Sequence, residues 1–267
     1  MQAGGRSENA FGGNIDGHLS VDEREYSVIY ALEDDHWWYV GLRRLVLSFM
    51  DALRPGKENV TVLDAGCGTG GMLAECRGYN AFGLDISEEA MKFCAMRNLP
   101  NVSKGSVSAM PFHDNSFDML ISLDVLYHLG VLDDTRALNE FHRVINHNGI
   151  LLLNLPAYNF LTSSHDKIIH TRHRYRLREL KAKVESAGFI IERITYRNTL
   201  LFPFAAVMRT AKRFLYSAGG VKASDLKPAP TFVNKIFKVL LDLENRLIVS
   251  GVNFPFGLSI FCVARKR

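Results

Sequence analysis

Cysteine is scarce in this chain and poorly spaced for pairing. Its four residues, Cys67, Cys76, Cys94 and Cys262, contain no C-x-x-C step. Neither a zinc knuckle nor a disulfide framework is expected, and a reducing cytoplasm is the compartment such thiols suit. Long apolar runs are lacking too: none reaches the roughly 18 to 20 residues of a membrane span, and residues 1 to 20 hold no apolar leader of the secretory kind. Strong charge of one sign is also missing. A net +4 over 267 residues, without an N-P-P-Y base-flipping motif or a separate recognition module, argues against nucleic acid as a partner. What is present is 47% hydrophobic content, enough to bury a full core.

The most informative stretch is Asp64-Ala65-Gly66-Cys67-Gly68-Thr69-Gly70-Gly71, at the end of the apolar run Val60-Thr61-Val62-Leu63. A β-branched run ending in glycines predicts a buried parallel strand that turns sharply into a helix, with backbone able to approach a nucleoside closely. Gly66, Gly68 and Gly71 also satisfy the G-x-G-x-x-G of dinucleotide-binding folds. A second run, Ala81-Phe82-Gly83-Leu84, ends in Asp85, whose carboxylate can accept hydrogen bonds from both ribose hydroxyls. What separates the two cofactor classes is Asp64, a poor neighbour for a pyrophosphate and a good one for an ammonium group.

At these residues the chain resembles the class I S-adenosylmethionine-dependent methyltransferases, especially the small-molecule branch. Three further blocks agree in order and spacing: Gly83-Leu84-Asp85-Ile86-Ser87; Ala109-Met110-Pro111-Phe112 followed by Asn115-Ser116-Phe117-Asp118; and Ser122-Leu123-Asp124-Val125-Leu126-Tyr127-His128. The resemblance covers residues 35 to 196. It implies S-adenosylmethionine as cofactor and S-adenosylhomocysteine as product, held by Asp64, Gly66, Cys67, Gly68, Gly70, Asp85, Ile86, Ser106, Val107 and Leu123. The family often carries an acid where this chain has Ser106, so adenine recognition is expected to lean on Val107 backbone and on the apolar Ile86 and Met110. A nicotinamide oxidoreductase and a non-catalytic cofactor-binding protein remain the alternatives.

The pattern along the chain predicts an α/β, doubly wound, Rossmann-like sheet of seven mostly parallel strands, with its ligand at the strand carboxyl ends. Residues 1 to 20 read as a mobile leader and 21 to 56 as two N-terminal lid helices. Residues 57 to 196 form the cofactor-binding core, 197 to 256 a helical insertion, and 257 to 267 the last core strand. Strands are expected near 60–64, 81–85, 101–105, 117–122, 149–154, 189–194 and 258–264, and core helices over 71–77, 87–97, 134–146 and 176–187.

Methyl transfer from a sulfonium needs in-line placement and exclusion of water, and a base only for some acceptors. His128, just beyond the fourth strand, is a candidate base, and Asp124 and Tyr127 stand beside it. In the lid, Arg43 is placed to pair with a cofactor carboxylate and Trp38 to offer an aromatic face to the sulfonium. Beyond the fifth strand, His165, Arg172, His173 and Tyr175 are candidates for an anionic acceptor. No i, i+4 histidine pair supports a metal there.

The insertion carries nine basic residues against three acids. Two amphipathic stripes run through it: Phe204, Val207, Met208, Ala211 and Leu215, opposed by Arg209, Lys212 and Arg213; then Phe232, Ile236, Leu240, Leu243 and Leu247, opposed by Lys235, Lys238 and Arg246. These stripes either pack onto the domain or meet anionic membrane, as basic amphipathic helices can. A small-molecule or lipid-linked acceptor follows as the expected partner.

Overall fold

In the computed structural model, residues 23–54, 56, 58–162, 166, 171–203 and 228–267 are described. The predicted leader, His165 and the first stripe of the insertion, with Arg209, Lys212 and Arg213, lie outside them.

Seven strands form one sheet: β1 (Thr61–Ala65), β2 (Asn80–Asp85), β3 (Val102–Lys104), β4 (Phe117–Leu123), β5 (Ile145–Pro156), β6 (Phe189–Arg197) and β7 (Ser259–Lys266). Their spatial order is β3-β2-β1-β4-β5-β7-β6. All pairings among β1 to β5 are parallel, whereas β7 runs antiparallel to both β5 and β6. The chain reverses direction in strand order on either side of β1 and β4, so the crevice at their carboxyl ends is the topological switch point where such sheets hold ligands. Both central strands are apolar and buried along nearly their whole length, as strands covered on two faces must be.

The described α-helices are α1 (Glu23–Leu32), α2 (Trp37–Ala52), α3 (Gly71–Glu75), α4 (Glu88–Met96), α5 (Asp134–Val144), α6 (Leu177–Ser186) and α7 (Thr231–Val249). One core cluster joins the sheet to α5 and α6 through Leu138, Phe141, Leu180 and Val184. The other joins the opposite face to α2 and α7 through Leu45, Val46, Met50, Ile248 and Phe261. Asp133 caps α5 by accepting from Thr135 and Arg136 amides, and the acids Glu88 and Glu89 lie in the first turn of α4.

The insertion's second stripe faces away from the domain. Phe232 is 74% exposed, Leu243 52% and Ile236 40%, and only Leu240 of the predicted stripe is half-buried. The buried line of α7 is instead Asn234, Leu241, Glu244, Asn245 and Ile248. Its two asparagines have partners on α2 and the bend before it: Asn234 Oδ1 accepts from Trp37 N at 2.8 Å, Asn234 Nδ2 donates to Asp35 at 2.9 Å, and Asn245 Nδ2 donates to Gly41 O at 2.7 Å. Amphipathic periodicity locates the helix, but these long-range hydrogen bonds choose the face.

Gly41 allows the close approach of α2 and α7, because a Cβ there would lie 2.5 Å from Leu241 Cδ1 and 3.2 Å from its Cβ. Replacing Gly41 with Leu is expected to push α7 away and destabilise the fold by about 1–3 kcal/mol. Gly41→Ala should cost less, since the leucine tip can rotate. Urea unfolding of both variants measures the difference.

Candidate active site

The turn after β1 has the conformation its glycines predict. Gly66, Gly68 and Gly70 have φ of 87°, 53° and 82°, the left-handed region that L side chains resist. A Cβ on Gly66 would meet Val125 at 2.3 Å, whereas one on Gly68 would meet nothing within 4 Å. The backbone at Gly68 therefore faces open space into which a ligand can come close. The loop is fixed by Asp85, whose Oδ2 accepts from Gly68 N at 2.8 Å and whose Oδ1 accepts from Ser87 N at 2.9 Å. Burial raises the Asp85 carboxyl, and the amide donors oppose that rise.

Asp64 is buried at the end of β1. Its carboxyl is pushed up to about 8, first by burial and then by the neighbouring Asp85 and Glu33 carboxylates. No basic side chain among the described residues offsets these effects, so the site is electrically suited to a cationic ligand group.

Helix α1 lies over this loop. Glu33 accepts hydrogen bonds from Thr69 Oγ1 and from Arg97 Nη2, the latter at 2.8 Å. Arg97 also donates from Nε to Thr69 O at 2.9 Å, pairs with Asp34 at 3.0 Å, and sits 4.7 Å from the centre of the Tyr30 ring. Tyr26 is buried beside Asp85 and Ser87, and burial raises its hydroxyl. The lid is thus latched across the glycine turn.

On the other side of the turn, Asp124 follows β4 with a φ of 58°, a left-handed geometry that Asp tolerates better than most residues. Asn154 Nδ2 donates to Asp124 Oδ1 at 2.9 Å, and burial raises the carboxyl to about 6 against the pull of Arg197, Asn154 and Arg174. Tyr127 is buried nearby, its hydroxyl raised first by burial and next by Asp124. His128 Nδ1 accepts from Gly130 N at 3.1 Å. That bond favours the tautomer with its proton on Nε2, which makes the neutral ring a donor and removes the lone pair a base would use.

The residues beyond β5 are held by internal partners. Tyr175 is fully buried and its hydroxyl lies 2.8 Å from Asp134 and 3.1 Å from Leu126 O. Arg172 lies 3.4 Å from Asp134 and donates to Leu132 O at 3.2 Å, while His173 Nε2 lies 3.1 Å from Glu179. These contacts give Arg172, His173 and Tyr175 structural work in the packing of α5 and α6. Arg174 likewise grips Asp166 in a two-point ion pair at 2.8 and 3.0 Å.

Arg43 is buried in the lid with its Nε 3.9 Å from Glu75, and Trp38 is half-buried, edge-on to Trp37 at 5.6 Å. Ser106 Oγ accepts from Ser108 N at 3.2 Å, an ST-type turn. Val107 is buried beside Met110, Leu123 is half-buried at the end of β4, and Ile86 is exposed after β2. Cys67 packs under the loop, and its thiol is raised by Cys94 and by burial. Sequence reasoning missed Glu33, Thr69, Arg97 and Asn154. Their partners are separated by 28 to 64 residues, and no local pattern marks them.

Residues 63–153 match the family model described as a methyltransferase domain. The chain is 34% identical over 111 residues to a 2-methyl-6-phytyl-1,4-hydroquinone methyltransferase of Synechocystis, covering 39% of this chain and 33% of that one. It is 28% identical over 162 residues to a sterol 24-C-methyltransferase of Schizosaccharomyces pombe, covering 51% and 42%. Among solved structures it superposes on a phosphoethanolamine N-methyltransferase of Haemonchus contortus in complex with S-adenosyl-L-methionine. That match has a TM-score of 0.52 at 16% identity and covers 84% of this chain and 52% of that one, a likeness of fold. The chain spans 33 to 41% of the length of the first curated relatives it matches.

The charge at Asp64 has a measurable cost. Its folded value, about 8, exceeds the ordinary 3.8, so the fold favours the neutral form. The stability this confers is complete below about pH 4 and is lost as pH rises towards about 8. The ligand-free melting temperature should fall across that window, and Asp64→Asn should flatten the fall. Thermal unfolding in a pH series measures both.

Proposed function

We propose, from the premise that this chain carries a class I S-adenosylmethionine-dependent methyltransferase domain, that it transfers a methyl group to a nucleophile on a small-molecule acceptor. The observation that carries this reading is the glycine turn with open space at Gly68 and a buried, cation-seeking Asp64 beside it. A pyrophosphate would be repelled there, which disfavours a nicotinamide cofactor. Asp64 suits the ammonium of the aminoacyl part, and Asp85, whose oxygens each retain acceptor capacity, suits the ribose hydroxyls. When bound, the cofactor supplies a methyl group on a sulfonium. The chain contributes a latched lid that excludes water and, at Asp124, a carboxylate poised near neutrality to take a proton from the acceptor nucleophile. Tyr127 flanks that carboxylate, and His128 serves as a donor at the same edge.

Calorimetry with S-adenosylhomocysteine and with NAD tests the cofactor class. Tighter binding of NAD would sink the reading. Asp124→Asn should leave S-adenosylhomocysteine affinity intact while lowering turnover about 10²–10⁴-fold, followed as transfer of labelled methyl to a metabolite and lipid extract. Unchanged turnover would remove Asp124 from the proton path.

A second reading concerns where the acceptor is met. The exposed stripe Phe232, Ile236, Val239, Leu243 and Leu247 on α7, with exposed Lys235 and Arg246 at its borders, supports contact with an anionic membrane and hence a lipid-linked acceptor. No described helix is long and apolar enough to cross a membrane. Vesicle co-sedimentation should require acidic lipid, fall with salt, and weaken in a Phe232→Ser/Leu243→Ser double variant. Equal sedimentation with neutral vesicles, or none with either, would reject membrane contact.

A further inference from the structure

At the carboxyl end of β6 a guanidinium is buried with no hydrogen-bond partner among the described residues. Arg197 is fully buried, and its Nε, Nη1 and Nη2 donate no hydrogen bond. Five N–H donors left in a low-dielectric interior are costly unless something accepts from them. The carboxylates nearest in charge are already engaged. Glu244 of α7 accepts from the Asn198 amide and from Leu200 N at 3.1 Å, and Asp124 accepts from Asn154. Both act on Arg197 through space, and burial pushes the guanidinium down to about 10.

The neighbours share this unsatisfied character. Ser259 is the β7 register partner of Arg197, and its buried Oγ has no partner. Asn198 is fully buried, with a φ of 58° and neither side-chain amide atom bonded. Unbonded donors of Arg197 and its register partner Ser259 therefore meet at one corner of the sheet, within electrostatic reach of Asp124, and Asn198 follows directly in the chain.

We propose that Arg197, with Ser259 and Asn198, is a binding subsite for an oxyanion, a carboxylate or phosphate carried by the methyl acceptor. The planar fork of arginine matches either group through two parallel hydrogen bonds. The acceptor class is then an anionic small molecule whose nucleophile is presented to Asp124 while its oxyanion is held at Arg197. The assignment deepens the methyltransferase reading and rests on it for the word acceptor, but the anion site itself does not depend on it.

The test uses the full chain saturated with S-adenosylhomocysteine, titrated with inorganic phosphate and with acetate against sodium chloride at equal ionic strength. Melting temperature should rise saturably with at least one oxyanion, and which of the two acts separates phosphate from carboxylate. Arg197→Met should raise the half-saturating concentration at least about tenfold, and Arg197→Lys, which keeps charge but loses the fork, should fall between. Arg178→Met, exposed on α6, serves as control. S-adenosylhomocysteine affinity, read separately, reports on the cofactor reading and should be the same in all variants. A structural role predicts a lower melting temperature for Arg197→Met without any anion. That result together with an unchanged oxyanion response, or no saturable response in the wild type, overturns the subsite. A crystal structure grown with the active oxyanion should place it on the guanidinium, and ordered water alone there would also overturn it.

Discussion

Two hydrogen bonds, from the Gly68 and Ser87 amides to the opposite oxygens of Asp85, fix the spacing between the ends of β1 and β2. Everything around the crevice is arranged about that clamp. It aims the Gly68 backbone at open space, it brings Asp85 close enough to raise the Asp64 carboxyl, and it leaves Thr69 where Glu33 and Arg97 can reach it. The described groups bring three carboxylates to the turn, with Arg97 engaged by Glu33 rather than by Asp64. Asp64, kept protonated in the empty site, regains its charge when a cationic group is brought beside it.

The sheet and the turn were legible because their signals are local. A β-branched run, glycines in the left-handed region and an acid at the end of the next strand each act over a few residues, and β1, β2 and β4 lie within a residue or two of expectation. The lid helices were legible for the same reason. The latch was not, since Glu33 meets Arg97 across 64 residues, and a charged residue on a helix surface carries no mark of its partner. Nor were the partners of Arg172, His173 and Tyr175 legible: composition suggests a binding loop, and it carries no mark of Asp134 or Glu179, which these residues contact.

Helix α7 shows a different limit. Its apolar stripe is a clear periodic feature of the sequence, but the helix buries the line that carries Asn234, Glu244 and Asn245. Hydrophobic area argues for the opposite orientation. The observed one is held by hydrogen bonds that are worth more in a dry interface than at the surface, and by the fit of Leu241 over Gly41. The outer stripe is left for something other than this domain's own core.

The fastening of α7 to the bend between α1 and α2 reaches into the life of the chain before it is finished. Asn234 and Lys238 hold Asp35 and Trp37, so the posture of the lid is determined by residues about two hundred positions later. Chains emerge from the amino end at a finite rate. While the first strands are already able to pair, the bend must wait for α7, and the glycine turn passes through its early existence without the full set of contacts that orient its cover. The cover is thus completed from the carboxyl side, and a nascent chain that stalls before residue 234 has α1 held over the turn by Glu33 and Arg97 but lacks the bonds from Asn234 and Lys238 that fix the bend.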